Sequence, residues 1–181
     1  MIFQLRTAIQ FSHKLYMKFI PLTFTIIFFL GIGCTSNDAQ REFESEAYRQ
    51  PSGITQTTAQ NEVLSIDPDD WRISPFFQGL IEIIPPFQNP AQLGTPINFE
   101  VRVTGVQGVS GLDVMVRYPN GNFNSIYLSN NNPLDTGVST FRIDPIVFSQ
   151  DGSDNLARGL HRVFFFDFNQ RLISYGDIEV E

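Results

Sequence analysis

The sequence predicts an all-β domain, an antiparallel two-sheet sandwich, which follows a signal peptide and a flexible linker. About seven strand-like runs, half of them alternating between apolar and polar residues, fill roughly the last 110 residues. Gly, Pro or Asn bounds each run. No long segment repeats its apolar residues at the helical spacing. Short strands at this spacing favour a sandwich over a small barrel, which is the alternative.

The strands are predicted one by one from alternation and from their breakers. Prolines after residue 84 carry no backbone donor, so we expect the first strand to end there. Gly121 supplies the positive φ of a turn over 119–122, and a tight hairpin is expected around 169–170. The predicted strands are 79–84, 96–105, 111–118, 124–129, 138–148, 160–168 and 171–180.

The N-terminus has the pattern of a secretory signal. Residues 1–33 hold three basic residues and no acid, and an uncharged run fills 19–33. That run is shorter than the roughly 20 residues that a membrane-spanning helix needs. Met17 begins a complete, shorter signal, so residues 1–16 are an extension in the alternative interpretation.

The signal ends in Leu-Gly-Ile-Gly-Cys at 30–34, which resembles the lipobox of bacterial lipoproteins. The resemblance implies a diacylglycerol on the sulfur of Cys34, cleavage before it and acylation of the new amine. It also implies a lipid-anchored protein of the bacterial cell envelope, and Thr35 favours the outer membrane if the host has one. In the alternative, Cys34 is an ordinary residue at the end of an uncleaved anchor.

The composition after residue 33 limits the chemistry. Its nine basic residues are all Arg and face 19 acids, a formal charge of −10, so a nucleic-acid binder of the usual basic kind is not expected. His161 is the single His of this part, and it contains no Lys, no nucleophile-elbow motif and no phosphate-binding loop. We therefore expect no enzyme, no cofactor and no metal centre.

Residues 34–72 are predicted to be the lipidated Cys and a flexible linker, and 73–181 the sandwich. The stretch 35–62 is polar and lacks a sustained period. Within it, 41–49 could form one or two helical turns, but its apolar face is too small to hold a helix alone.

Three motifs resemble bacterial immunoglobulin-like domains in the broad fibronectin-III sense. In the last motif, Gly159, Val163 and Asp167 match the family pattern. His161 stands where the family often has Tyr and can still donate the corner hydrogen bond, while Gln170 stands where Gly is frequent. The resemblance implies a stalk, spacer or recognition module. The motifs are VMVRYPNGN (114–122), NPLDTG (132–137) and GLHRVFFFDFNQ (159–170).

Two groups of acids are weak candidates for calcium ligands. Oxygen-bearing side chains at alternate positions of one loop suit a hard cation, but the same residue types favour turns, which is the simpler interpretation. A second cluster, made only of acids, is likewise either a set of calcium ligands or a set of turn residues. The loop residues are Asp151, Ser153, Asp154 and Asn155, and the cluster is Asp67, Asp69 and Asp70.

Three successive Phe residues in one strand must point to both of its faces. The family phase turns Phe165 inward and leaves Phe164 and Phe166 outward, beside Met115. These three residues are the predicted contact surface for another envelope protein or a surface polymer. In the alternative, the segment 71–77 folds over them.

The predicted function is non-catalytic: binding, adhesion or assembly at the membrane to which Cys34 attaches the domain. One alternative is a carbohydrate-binding module that stacks sugars on Trp71, Tyr118 or Tyr127. A less favoured alternative is a small hydrolase that uses His161.

Overall fold

The computed structural model describes residues 35–105 and 108–181. The chain divides into two compact units, Met1–Ala39 and Gln40–Glu181. In the first unit only residues 35–39 are described, and they form the start of helix α1, Thr35–Ala47. Cys34 and the predicted signal peptide lie outside the described residues. No helix in the described part is long and apolar enough to cross a membrane.

The second unit is built mainly of strands. Besides the end of α1, it contains the short helix α2, Asp154–Ala157, and two 3-10 turns at Pro75–Phe77 and Pro145–Phe148. The strands are β1 (Gln56–Thr57), β2 (Val63–Ser65), β3 (Ile81–Phe87), β4 (Ile97–Val103), β5 (Asp113–Arg117), β6 (Phe123–Leu128), β7 (Gly137–Ile143), β8 (Gly159–Phe166) and β9 (Leu172–Val180).

Two antiparallel sheets form the sandwich, which confirms the predicted fold class. One sheet has the order β3-β4-β7 and the other β6-β5-β8-β9. Strands β1 and β2 form a separate small hairpin. The seven strands of the two sheets correspond to the seven predicted runs. Alternation of apolar and polar residues, and the Gly, Pro and Asn residues that end each run, can be recognised in a single sequence.

The core between the sheets has the predicted phase. Val114 pairs with Phe165 across β5 and β8, and both side chains are fully buried. From the other sheet, Phe99 lies 6.0 Å from Phe165, measured between ring centroids. Met115 pairs with Phe164 on the opposite face of the same two strands. Phe164 and Phe165 therefore contribute to different apolar clusters.

The expectation that the first strand ends at its prolines is wrong. Strand β3 continues to Phe87 through an irregularity between Ile84 and Phe87, where the register with β4 shifts. Pro85 and Pro86 stand between the paired residues. A strand at the edge of its sheet tolerates proline because one side of its backbone needs no ladder partner, and β3 is such an edge.

The predicted flexible linker over 34–72 is wrong for residues 40–72, which belong to the compact unit. The compact unit begins at Gln40, not at residue 73, and helix α1 extends to Ala47. Phe43 and Ala47 are buried against the sandwich, and Thr55 and Thr57 are buried further along. A helix with so few apolar residues is stabilised by tertiary packing, which its own sequence does not reveal.

The segment around Trp71 covers the edge of β9. The Trp71 amide donates to the Tyr175 carbonyl at 2.8 Å, and the Ser74 amide donates to the Ile173 carbonyl at 2.8 Å. The Trp71 ring occupies the space beside Gly176, where a Cβ would lie 2.4 Å from it. This segment therefore protects backbone groups that an uncovered edge strand would expose.

Candidate functional site

Phe164 is not exposed on the outer face of the four-stranded sheet. Its side chain is fully buried, in a cluster with Phe43 and Ala47 of helix α1 and with Leu172 and Tyr175 of β9. The prediction of Phe164 as part of an exposed surface is therefore wrong, although its outward phase is right. The cover is helix α1, whereas the alternative placed the segment 71–77 there.

A buried ion pair fastens the end of helix α1 to the sheet. Arg162 donates through Nε to Asp177 Oδ1 at 2.7 Å and through Nη2 to Asp177 Oδ2 at 2.8 Å. Its remaining nitrogen, Nη1, donates to the carbonyls of Glu46, Ala47 and Arg49 at 3.1–3.3 Å. A cation at a helix C-terminus also interacts favourably with the helix dipole. The single planar guanidinium of Arg162 thus binds both the Asp177 carboxylate and the carbonyls at the end of helix α1.

A second set of polar contacts lies beside this pair. Arg72 donates to Glu46 at 2.6 Å, to Asp69 at 2.8 Å and to the Tyr175 hydroxyl at 2.7 Å. Burial, together with the nearby Asp69 carboxylate, raises the pKa of Tyr175 to about 12. Asp69, a member of the predicted acidic cluster, therefore accepts hydrogen bonds both from Arg72 and from Tyr175 of the sheet.

Asp70 lies deeper in the same region. Its carboxylate accepts the Thr55 amide at 2.6 Å and the Asp177 amide at 2.8 Å. Burial raises the pKa of Asp70 to about 7, with a smaller contribution from the Asp177 and Asp67 charges, against those two hydrogen bonds. Asp70 thus connects the N-terminal segment to β9 through backbone groups.

Beyond the end of helix α1, an open groove of about 510 Å³ lies on the outer face of the sheet. Met115 and Phe166 line it and are half-buried, so the structure brings these two predicted contact residues together. Phe123 and Leu128 of β6 are exposed. The groove is lined by Tyr48, Asp113, Met115, Phe123, Leu128, Phe166, Asp167, Phe168 and Gln170.

Aromatic rings form the wall of the groove. Tyr48 stacks on the buried Phe164 at 5.6 Å, and Phe123 meets the same ring edge-on at 5.0 Å. Phe123 also lies 6.4 Å from Phe166. Rings that are held against a buried ring lose little freedom when a ligand packs on them, so this wall is preorganised for an apolar group.

Among the residues that the structure describes, one carboxylate in the groove has no cationic partner. Asp113 accepts the Ser125 hydroxyl at 2.5 Å and forms no ion pair in the described part of the chain. Asp167, by contrast, is fully engaged in the β8–β9 turn. It accepts the amides of Asn169 and Arg171 and the Arg171 guanidinium at 2.6 Å. Although burial acts in the opposite direction, these hydrogen bonds lower the pKa of Asp167.

The β8–β9 turn agrees with the expected hairpin. Gln170 has a φ of 60°, in the left-handed region that Gly adopts most easily. The Asp167 amide donates to the Arg171 carbonyl at 3.0 Å, and Asp167 also closes the turn with its side chain. Asp167 therefore has a structural role, the closure of the β8–β9 turn.

His161 forms a hydrogen bond to the backbone just before the start of β8. Its Nε2 lies 2.8 Å from the Ala157 carbonyl, to which it donates, and its ring stacks on Phe148 at 5.1 Å. Burial lowers the pKa of His161, although the Ala157 carbonyl acts in the other direction. With a backbone carbonyl as its hydrogen-bond partner, His161 has a structural role at the start of β8.

The candidate calcium loop uses its oxygens for a turn and a helix cap. Asp151 accepts the Ser149 hydroxyl at 2.8 Å and the Ser153 amide at 2.9 Å, and Ser153 caps helix α2. Hydrogen bonds from Ser153 lower the pKa of Asp151. Asp154 begins α2 and Asn155 follows it. The described residues contain no group of three or more His, Cys, Asp or Glu side chains placed to hold a metal.

The aromatic residues of the carbohydrate alternative do not form a platform. Trp71 and Tyr118 are buried, and Tyr127 stacks on Phe141 at 3.8 Å. The groove instead includes Tyr48, which no motif of the sequence indicates as a contact residue. Tyr48 follows a helix whose packing was not foreseen, and no signal in the sequence indicated its position.

No protein-family model, curated protein or solved structure matches the chain.

Proposed function

We propose that this protein is a non-catalytic binding module of the bacterial cell envelope, anchored by a lipid on Cys34, and that its groove holds a segment of a partner protein. The observation that carries the proposal is the open groove lined by Met115, Phe123 and Phe166. The partner segment supplies an apolar side chain to the rings and a Lys or Arg to the carboxylate of Asp113.

Apolar complementarity is the first support. Phe123 and Leu128 remain exposed beside the half-buried Met115 and Phe166, in a depression large enough for one or two side chains. Contiguous apolar surface of this kind marks interaction sites on soluble domains. A partner that fills the groove removes these groups from water, which contributes roughly 25 cal/mol for each Å² buried.

Charge complementarity is the second support. The chain after residue 33 has nine arginines against 19 acids. Asp113 adds an uncompensated carboxylate within the groove. A basic partner segment is attracted by the overall field and oriented by this local charge, whereas an acidic segment is repelled.

The small number of residues between Cys34 and the compact unit is the third support. Only residues 35–39 separate them. A lipid on Cys34 would keep the module at the membrane surface, where other envelope proteins lie within reach.

The test uses a displayed library of random peptides, with the full chain in detergent as bait. We expect enrichment of peptides with an aromatic or large aliphatic residue near Lys or Arg. Leu128→Ser should abolish capture, and Val138→Ser, its control on β7, should not. The two side chains match in exposure, 58 % and 56 %. Failure to enrich, or equal loss with both variants, overturns the proposal.

The carbohydrate alternative is tested on the same variants. A glycan array that detects binding of neutral sugars, lost with Leu128→Ser, would assign the groove to carbohydrate. For the hydrolase alternative, turnover lost in His161→Gln with an unchanged melting temperature would assign catalysis. Either result would replace the proposed protein partner.

A further inference from the structure

A second pocket, of about 520 Å³, lies where four parts of the fold meet. Gln50 and Pro51 come from the segment after helix α1, and Arg117 from the end of β5. Arg158 follows helix α2, and Arg162 lies in β8. Among the described lining residues, this pocket shares Phe123 with the proposed peptide groove and no other.

The charges of this pocket are opposite to those of the domain. The described residues that line the pocket include three arginines, Arg117, Arg158 and Arg162, and no Asp or Glu. Asp177 neutralises Arg162. Arg117 and Arg158 form no ion pair with any described carboxylate. Two uncompensated cations therefore meet in one pocket of a strongly acidic protein.

Arg117 is held in place without being neutralised. Its Nη1 donates to the Tyr48 carbonyl at 2.8 Å and its Nη2 to the Arg49 carbonyl at 3.2 Å. A guanidinium has five N–H donors, so these two bonds leave donors and the whole positive charge for a ligand. Arg158 is exposed and can move towards that ligand.

We propose that this pocket binds an oxyanion, a phosphate, sulfate or carboxylate, carried on a small organic body. The planar forks of Arg117 and Arg158 suit paired oxygens of such a group. The apolar side chains of Phe123 and Leu156, both exposed, offer surface to the body that carries it.

The experiment is isothermal titration calorimetry of the full chain in detergent. The probes are inorganic phosphate, inorganic sulfate, glucose 1-phosphate and glucuronate, with glucose as the neutral control. Binding of an anion without binding of glucose supports the proposal, and weakening with added salt is expected. Tighter binding of glucose 1-phosphate than of inorganic phosphate supports the organic body of the proposed ligand, and equal binding of the two overturns that part of the proposal.

Variants separate the site from general electrostatics. Arg158→Gln and Arg117→Gln should each weaken binding by about tenfold or more, because charge-assisted hydrogen bonds are lost. Arg142→Gln, whose exposed side chain donates to Asn98 on the other sheet, should change it by less than about twofold. If Arg117→Gln fails to fold, the result for Arg158→Gln alone tests the proposal.

No heat with any of the four anions overturns the proposal, as does equal weakening by Arg142→Gln and Arg158→Gln. Capture of groove-binding peptides should be unchanged in Arg158→Gln. Loss of oxyanion binding and loss of peptide binding are therefore separate results, and one proposal can fail without the other.

Discussion

Arg162 and Asp177 form a two-bond ion pair, 2.7 and 2.8 Å long, in which both side chains are almost completely buried. The same guanidinium donates to three carbonyls at the end of helix α1. This pair joins β8 and β9 and also holds the end of helix α1, the helix that covers Phe164 on the outer sheet face. The groove lies open beyond that end.

The first prediction concerns this pair. Arg162→Met should lower the free energy of unfolding by about 3–5 kcal/mol, because it leaves Asp177 buried without its cation. The measurement is urea denaturation. The control is Arg102→Met, whose partner Glu82 is exposed, with an expected loss of at most about 1 kcal/mol. Equal effects of the two variants would contradict the role given to Arg162.

The second prediction separates the two outward-facing aromatic residues of β8. Phe164→Ala should destabilise the fold by about 3–5 kcal/mol, as should Phe165→Ala, because both side chains are fully buried. Phe166→Ala should cost less, because its side chain is only half-buried. Thermal melts of the three variants check this order. A Phe164→Ala protein as stable as the wild type would mean that helix α1 does not cover this face.

The third prediction follows from the raised pKa of Asp70. The unfolded chain releases the Asp70 proton near pH 4, whereas the folded chain holds it up to about pH 7. Its contribution to stability is therefore present at low pH and is lost as pH rises through 7. Between pH 5.5 and 7.5, wild type should lose up to about 2 kcal/mol relative to Asp70→Asn. Parallel pH profiles of the two proteins in chemical denaturation would argue against a raised pKa.

The fourth prediction has the opposite sign. The pKa of His161 is lowered in the fold, so on acidification the unfolded chain takes up the proton first. Stability should therefore fall as pH drops below about 6.5, by up to about 1.4 kcal/mol at pH 5.5. His161→Gln keeps a donor for the Ala157 carbonyl and should lack this loss. A wild-type protein with the same acid response as His161→Gln would contradict the buried, neutral His161.

The fifth prediction concerns the anchor. Cys34→Ala should release the protein from the membrane fraction or leave an unprocessed precursor. Intact mass spectrometry of the wild-type protein should show cleavage before Cys34 and added acyl chains. An unmodified Cys34 thiol in the mature protein would show that the lipobox resemblance is misleading.

The sequence predicted those parts of the fold whose signal is local. Alternation of apolar residues placed β4 and β8, and it assigned Phe165 to the core and Met115 to the other face. Residue types that favour turns located the hairpin in which Gln170 adopts a positive φ. These features depend on neighbours within a few positions, so one sequence is enough to find them.

The cover of the outer face could not be predicted in the same way. Helix α1 buries only Phe43 and Ala47 in this cluster, and the contact from Arg162 to the Ala47 carbonyl spans 115 positions. Such a helix is stable only on a face that is itself apolar. The position of Tyr48, and with it the shape of the groove, follows from this long-range packing.

The central claim is that the groove is the surface through which this protein binds its partner. Its most direct test places a photo-crosslinking amino acid at Leu128 or at Val138 in living cells. We predict that position 128 yields a discrete adduct with one envelope protein, and that a groove-selected peptide suppresses it. Position 138 should yield none. No adduct at position 128, or the same adduct at both positions, would contradict the claim.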